Sequence, residues 1–123
     1  MYPIGHFGFG FICGILIFFL LTKIAPNRIG SFSKSKMLIS YTIFALICGL
    51  ISVAPDYGQL WGDHKTDHAW WAYLCFGHRS IDIYLWASGL SDTDTAILSY
   101  TILGLAILME IVILYVYILK KDS

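Results

Sequence analysis

Apolar residues fall in three long blocks separated by short polar stretches, and that spacing predicts the architecture. The first block runs from about Phe7 to Thr22, with Pro3 to His6 leading in. The second is Met37 to Ala54, closed by Pro55. The third is Thr95 to Leu119, closed by Lys120 and Lys121. A helix needs about 20 predominantly apolar residues to cross a bilayer, with tolerance from roughly 17 to 25. Each block therefore reads as a transmembrane helix, since lipid offers backbone amides no partner of their own. The chain is expected to be an all-α integral membrane protein, a single polytopic domain over residues 1–123.

A fourth stretch, residues 69–90, breaks the pattern. It is apolar and aromatic at both ends (Trp70, Trp71, Tyr73 and Phe76; Ile83, Tyr84, Leu85 and Trp86) but carries His78, Arg79 and Asp82 in its middle. A charge at the centre of a spanning helix costs at least a few kcal/mol, and such residues normally face a protein interior or a water-filled cavity. Either this stretch is a re-entrant or interfacial helix and the chain crosses three times, or it spans and the count is four.

Charge placement orients the blocks. Lys23, Arg28, Lys34 and Lys36 lie between the first two, with no acidic residue among them. The positive-inside rule puts this loop in the cytoplasm. The expected location is the cell membrane, with the N-terminus on the outer face and the second helix returning Pro55 and Asp56 to it. No basic region precedes the first block and no small-residue cleavage pattern follows Leu21. It therefore reads as a retained helix and not a signal peptide.

Composition sharpens this in two respects. The chain is 58% hydrophobic and 13% charged, with mean hydropathy +0.72, whereas soluble domains carry about 25% charged residues. Small domains bury too little of their surface to hide so much apolar area from water. The formal net charge is zero, so nothing suggests nucleic acid, and membrane lipids are the expected surroundings. Cys13, Cys48 and Cys75 form no CxxC pair and read as free buried thiols. Gly10 and Gly14 form a GxxxG on the first helix, with Gly8 beside them and Gly49 as a counterpart on the second. Such small faces permit close packing within the domain, or between copies in a homo-oligomer.

The candidate chemistry is concentrated. All four histidines, with Asp56, Asp63, Asp67 and Asp82, belong at or near the outer face under this topology. His64 and His68 are four apart, as are Asp63 and Asp67, and His78 and Asp82. Residues four apart share a helix face, the placement a helix-borne metal site needs. Imidazole with carboxylate suits zinc, iron or manganese, with zinc the first choice. Mixed ligation with a free position fits a catalytic site better than a structural one.

His6, Asp56, His64, His68, His78 and Asp82 are thus candidate metal ligands, more than one ion needs. Arg79 is a candidate phosphate or oxyanion holder, and Asp67 a candidate general base. Plainer readings stand beside these. Residues 63–68 also suit a solvated loop, His6 an interfacial side chain, and Arg79, Asp82 and Asp56 a buried ion-pair network. Glu110 lies alone in the last helix, away from the cluster, where it is placed to meet Ser40, Tyr41 or Thr42. There is no GxSxG, P-loop or dinucleotide fingerprint, and His78, Ser80 and Asp82 are too close in sequence for a triad.

A histidine opening a glycine-containing first helix, a Pro-Asp closing the second and a later His-Arg pair resemble the YdjM-type membrane-bound metal-dependent hydrolases. The matching residues are His6, Pro55-Asp56 and His78-Arg79. That family usually has a second aspartate two residues after the Pro-Asp, where this chain has Gly58. It also has Thr-His-Ser after the His-Arg, where this chain reads Ser80-Ile81-Asp82, with Asp82 standing near the position of that histidine. The resemblance spans about Gly5 to Asp82. It implies a metal-dependent hydrolase; a metal-bound water at this cluster would be aimed at an ester or phosphodiester, and the depth of the cluster points to a lipid headgroup. The alternatives are a non-catalytic accessory subunit of a larger membrane complex and, more remotely, haem held by His6 and His78.

Overall fold

The computed structural model describes residues 2–29, 33–60 and 74–119. Among these there are five α-helices and no strand: α1 (Pro3–Ile24), α2 (Pro26–Ile29), α3 (Lys34–Leu60), α4 (His78–Ala87) and α5 (Asp92–Leu119). Helices α1, α3 and α5 are long and apolar enough to cross a membrane, over Pro3–Ile24, Lys34–Asp56 and Asp92–Val116. The chain is a multi-pass, all-α, membrane-type protein. Large apolar side chains such as Leu16, Leu20, Ile43, Leu50, Leu108 and Val112 point outward along these helices, as lipid permits and water does not.

The three apolar blocks become the three long helices, each longer than its block. Helix α1 starts at Pro3, a residue suited to the first turn because its missing N–H has no intrahelical partner there anyway. His6 therefore sits inside the helix and not ahead of it. Ala25 leaves helical geometry, and Pro26 opens the single turn of α2.

Helix α3 departs from expectation at Pro55. It does not stop there but continues to Leu60, with Pro55 buried inside it. A proline removes one i→i−4 bond, to the Ile51 carbonyl, and helices embedded among neighbours tolerate such a loss. Asp56 is thereby held on a helix and not on a loop.

Of the ambiguous stretch 69–90, residues 69–73 lie outside the described part. The remainder forms a turn and then α4, whose ten residues extend about 15 Å, half of the roughly 30 Å hydrocarbon thickness. The described residues thus match the short, non-spanning arrangement. Phe76 and Gly77 both take positive φ (52° and 69°) just before α4, and Gly89 (68°) ends the turn after it. The two glycines provide the reversals that fold α4 back over the bundle.

Helix α1 lies against both other long helices. Phe11, Ile15 and Phe18 of α1, Tyr41 and Ala45 of α3, and Ala106 of α5 form the buried core. Its glycines set how close the helices come. A Cβ on Gly10 would lie 2.6 Å from the Cys48 carbonyl oxygen, and one on Gly14 2.8 Å from the Ala45 Cα. Gly8 faces α5 instead, its Cβ position 3.0 Å from the Leu103 Cα. The GxxxG pair therefore packs inside the domain. Gly49 serves differently, leaving room for the Phe7 ring.

Candidate metal centre

Antiparallel packing brings the start of α1, the end of α3 and the start of α5 to one end of the bundle. The Tyr2 backbone N–H donates to Ser99 Oγ of α5 at 3.1 Å there. The basic residues Lys23, Arg28, Lys34 and Lys36 are at the other end of the same helices. Helix α4 returns across the first end. Its amphipathic pattern turns His78 and Leu85 inward and leaves Tyr84 and Trp86 exposed.

His6, His78 and Asp82 converge here, each offering a ligand atom within 4.8 Å of the others'. His6 Nε2 donates to Asp82 Oδ1 at 2.9 Å. His78 Nε2 lies 3.3 Å from Asp56 Oδ1 and 3.5 Å from Asp82 Oδ2. Both imidazoles are fully buried, and they stack with ring centroids 3.7 Å apart and planes at 24°. Four of the six candidate ligands are therefore in one place, contributed by α1, α3 and α4.

One contact was not visible in the sequence. His78 Nδ1 donates to the Ser52 backbone carbonyl at 2.8 Å. Any residue type supplies a carbonyl, so no side-chain pattern announces this. Its effect is specific: with Nδ1 committed as the donor, Nε2 turns toward the carboxylates. Ligating histidines are commonly held in this way, with the second ring nitrogen anchored to a carbonyl or carboxylate.

The electrostatics follow from burial and charge. Burial alone would lower the His78 pKa, but the hydrogen bond and charge of Asp56, the Ser52 carbonyl and the charge of Asp82 together outweigh it and raise it. Burial would raise the Asp82 carboxyl, but the hydrogen bond and charge of His6 are foremost among the effects that pull it down, to about 2. Both groups thus favour their charged forms.

His6, His78 and Asp82 form a group that could hold a metal ion. His6 Nδ1 and Asp56 Oδ2 are buried without a hydrogen-bond partner among the described residues, a costly state for groups in an apolar setting, and His78 Nε2 meets the carboxylates only at the long distances of 3.3 and 3.5 Å. Ligand atoms bound tetrahedrally at 2.0–2.1 Å stand about 3.3–3.4 Å apart. The His78 contacts to Asp56 and Asp82, at 3.3 and 3.5 Å, are close to that edge length, whereas the His6–Asp82 contact, at 2.9 Å, is that of a direct hydrogen bond.

Among the described residues no ion pair joins Arg79 to Asp56 or Asp82, and those carboxylates meet His78 and His6. Arg79 lines a recess of about 460 Å³ together with Asp82, Ile83 and Trp86. His64, Asp67, His68 and Asp63 lie outside the described residues. Glu110 stays apart from the cluster and accepts a hydrogen bond from Thr42 Oγ1 at 2.9 Å, one of the partners its position suggested. Cys13, Cys48 and Cys75 are free thiols.

Comparison of the chain with protein families, characterised proteins and solved structures gave no match.

Proposed function

We propose that this chain is a membrane-embedded metal-dependent hydrolase that cleaves an ester or phosphodiester, with its site at the outer face of the membrane. The observation that carries the reading is the convergence of His6, His78, Asp56 and Asp82 around buried nitrogen and oxygen atoms that lack partners. The resemblance to YdjM-type hydrolases points the same way, since its matching residues are three of these four and Arg79.

His78 would ligate through Nε2, oriented by the Ser52 carbonyl. His6 and Asp82 supply a second nitrogen and a carboxylate, and Asp56 a further oxygen. Zinc suits this mixture first. A bound divalent ion supplies Lewis acidity and a lowered pKa for water. The protein's own part is to hold the donors, with Arg79 lining the recess that Asp82 also lines, where its planar fork suits a phosphate or a developing oxyanion.

Metal analysis of gently purified protein tests this. Near-stoichiometric zinc, iron or manganese, lost in His78→Ala and Asp82→Ala together with hydrolysis of a model phosphodiester, is the expected result. Protein that is metal-free and gains nothing on zinc addition would sink the reading.

That outcome would favour a second one, a non-catalytic accessory subunit of a larger membrane complex. Its support is α5, where only 11% of the most apolar window is buried among the described residues, which leaves a long lateral face for other subunits or a second copy.

A further inference from the structure

The recess beside the metal cluster has a composition that specifies its occupant. Arg79, Asp82, Ile83 and Trp86 line it, and their spacing (i, i+3, i+4, i+7) makes them one face of α4. Its volume of about 460 Å³ lies within the range of roughly 300–1,000 Å³ usual for small-molecule sites. Asp82 carries a negative charge there, but His6 donates to it at 2.9 Å and His78 lies 3.5 Å away. The Arg79 guanidinium has no such counter-charge among the described residues. Among the described residues the recess therefore presents one cation without a counter-charge of its own next to the candidate metal ligands, and an apolar wall beyond it.

Height along the bundle narrows the choice. The three candidate spans have Pro3, Asp56 and Asp92 at this end, so α4 lies at the level where they leave the hydrocarbon. Its outward residues are those of an interface: Trp86 is 86% exposed, Tyr84 71% and Ile83 40%. Tryptophan and tyrosine favour the headgroup level, where one part of the ring meets chains and another meets water. A small phosphate ester without chains or rings would gain little from Ile83 and Trp86, whereas a lipid would be in contact with both.

We propose that this recess seats the phosphate of a membrane phospholipid, with Arg79 on the phosphate oxygens and Ile83 and Trp86 against the first carbons of its apolar part. The proposal rests on the hydrolase reading for its chemical purpose, since it places the phosphate beside Asp82. The binding itself needs no turnover. Guanidinium pairs with phosphate through two parallel N–H donors, which fixes orientation as well as strength.

Native mass spectrometry of the detergent-purified protein tests the proposal, because bound lipid and bound metal are weighed in one spectrum. The probes are dioctanoylphosphatidylglycerol, dioctanoylglycerol without the phosphate, and glycerol 3-phosphate without the chains. The phospholipid should bind at least about tenfold more tightly than either fragment, as expected when a charge-assisted pair and apolar contact act together. Arg79→Gln should weaken it about tenfold or more and Arg79→Lys less, since lysine keeps the charge without the fork.

Trp86→Ala should weaken the phospholipid but leave glycerol 3-phosphate unchanged. Trp86 is too exposed for its loss to unfold the chain, so this variant reads the recess even where an Arg79 variant fails to fold. Phospholipid binding equal in wild type, Arg79→Gln and Trp86→Ala would overturn the proposal. So would glycerol 3-phosphate binding as tightly as the lipid, which would identify a soluble ester as the ligand. Arg79-dependent lipid on a protein that never carries metal would leave the recess standing and remove the hydrolase reading; metal with Arg79-independent lipid would do the reverse.

Discussion

At the residue scale, His78 decides what the cluster is. Anchored through Nδ1 to the Ser52 carbonyl, it turns Nε2 to two carboxylates, and in the proposed metal site a proton and the ion would compete for that nitrogen. The two pKa shifts set opposite edges for the metal-free protein. The pKa of His78 is raised above 6.5, so its contribution to stability is complete below 6.5 and is lost as pH rises through the raised value. Asp82 is lowered from 3.8 to about 2, so its contribution is present above 3.8 and is lost as pH falls toward 2. Metal-free protein should therefore melt at a higher temperature near pH 6 than near pH 9. Zinc needs the neutral imidazole, so its added stabilisation should grow over the same rise in pH. Thermal melts of chelator-treated and zinc-supplemented protein check both signs. A metal-free melting temperature that climbs from the lower pH to the higher one would contradict a charged His78 held by Asp56 and Asp82.

At the scale of elements, the site is only as well placed as α1 is against α3. His6 rides on the first turns of α1, and Gly10 is one turn further along, where the Cys48 carbonyl leaves no space for a Cβ. Gly10→Ala forces the helices apart or bends one of them, and overpacking of this kind costs about 1–3 kcal/mol. The variant should lose stability and also bind metal more weakly, because His6 moves away from Asp82 and His78. Gly104→Ala is the control. Nothing lies within 4 Å of a Cβ there, and alanine is the better helix former by up to about 1 kcal/mol. Unfolding curves and zinc titrations of the two variants should diverge; equal behaviour would mean that the α1–α3 approach does not position the site.

The long helices were legible in the sequence because lipid leaves an apolar segment of that length no other structure. The continuation of α3 beyond Pro55 was not, since whether a lost backbone bond ends a helix depends on neighbours that the sequence does not locate. Arg79 and Asp82 show the same limit at closer range. Asp82 is four residues from His78 and three from Arg79, so spacing allowed either pairing. Packing chose, because α1 delivers His6 to Asp82 and leaves Arg79 facing the recess.

At the scale of the whole molecule, the clustering of His6, Asp56, His78 and Asp82 was readable in advance because alternating helices leave few ways to arrange their ends. What topology leaves open is which end faces outward. The four basic residues Lys23, Arg28, Lys34 and Lys36 gather at the end opposite His6, Asp56, His78 and Asp82, and translocation selects against lysine and arginine in short outer loops. The basic end should therefore face the cytoplasm and the cluster the outside. Ser35, near the start of α3, and Ser88, just after α4, are both exposed and report on opposite ends. In a background free of native cysteines, Ser88→Cys should react with a membrane-impermeant maleimide on intact cells. Ser35→Cys should react only after permeabilisation. The opposite pattern would put the recess in the cytoplasmic leaflet. The arrangement of His6, His78, Asp56 and Asp82 would be unchanged, but the substrate would then have to be an inner-leaflet lipid and the metal would come from the cytoplasmic pool.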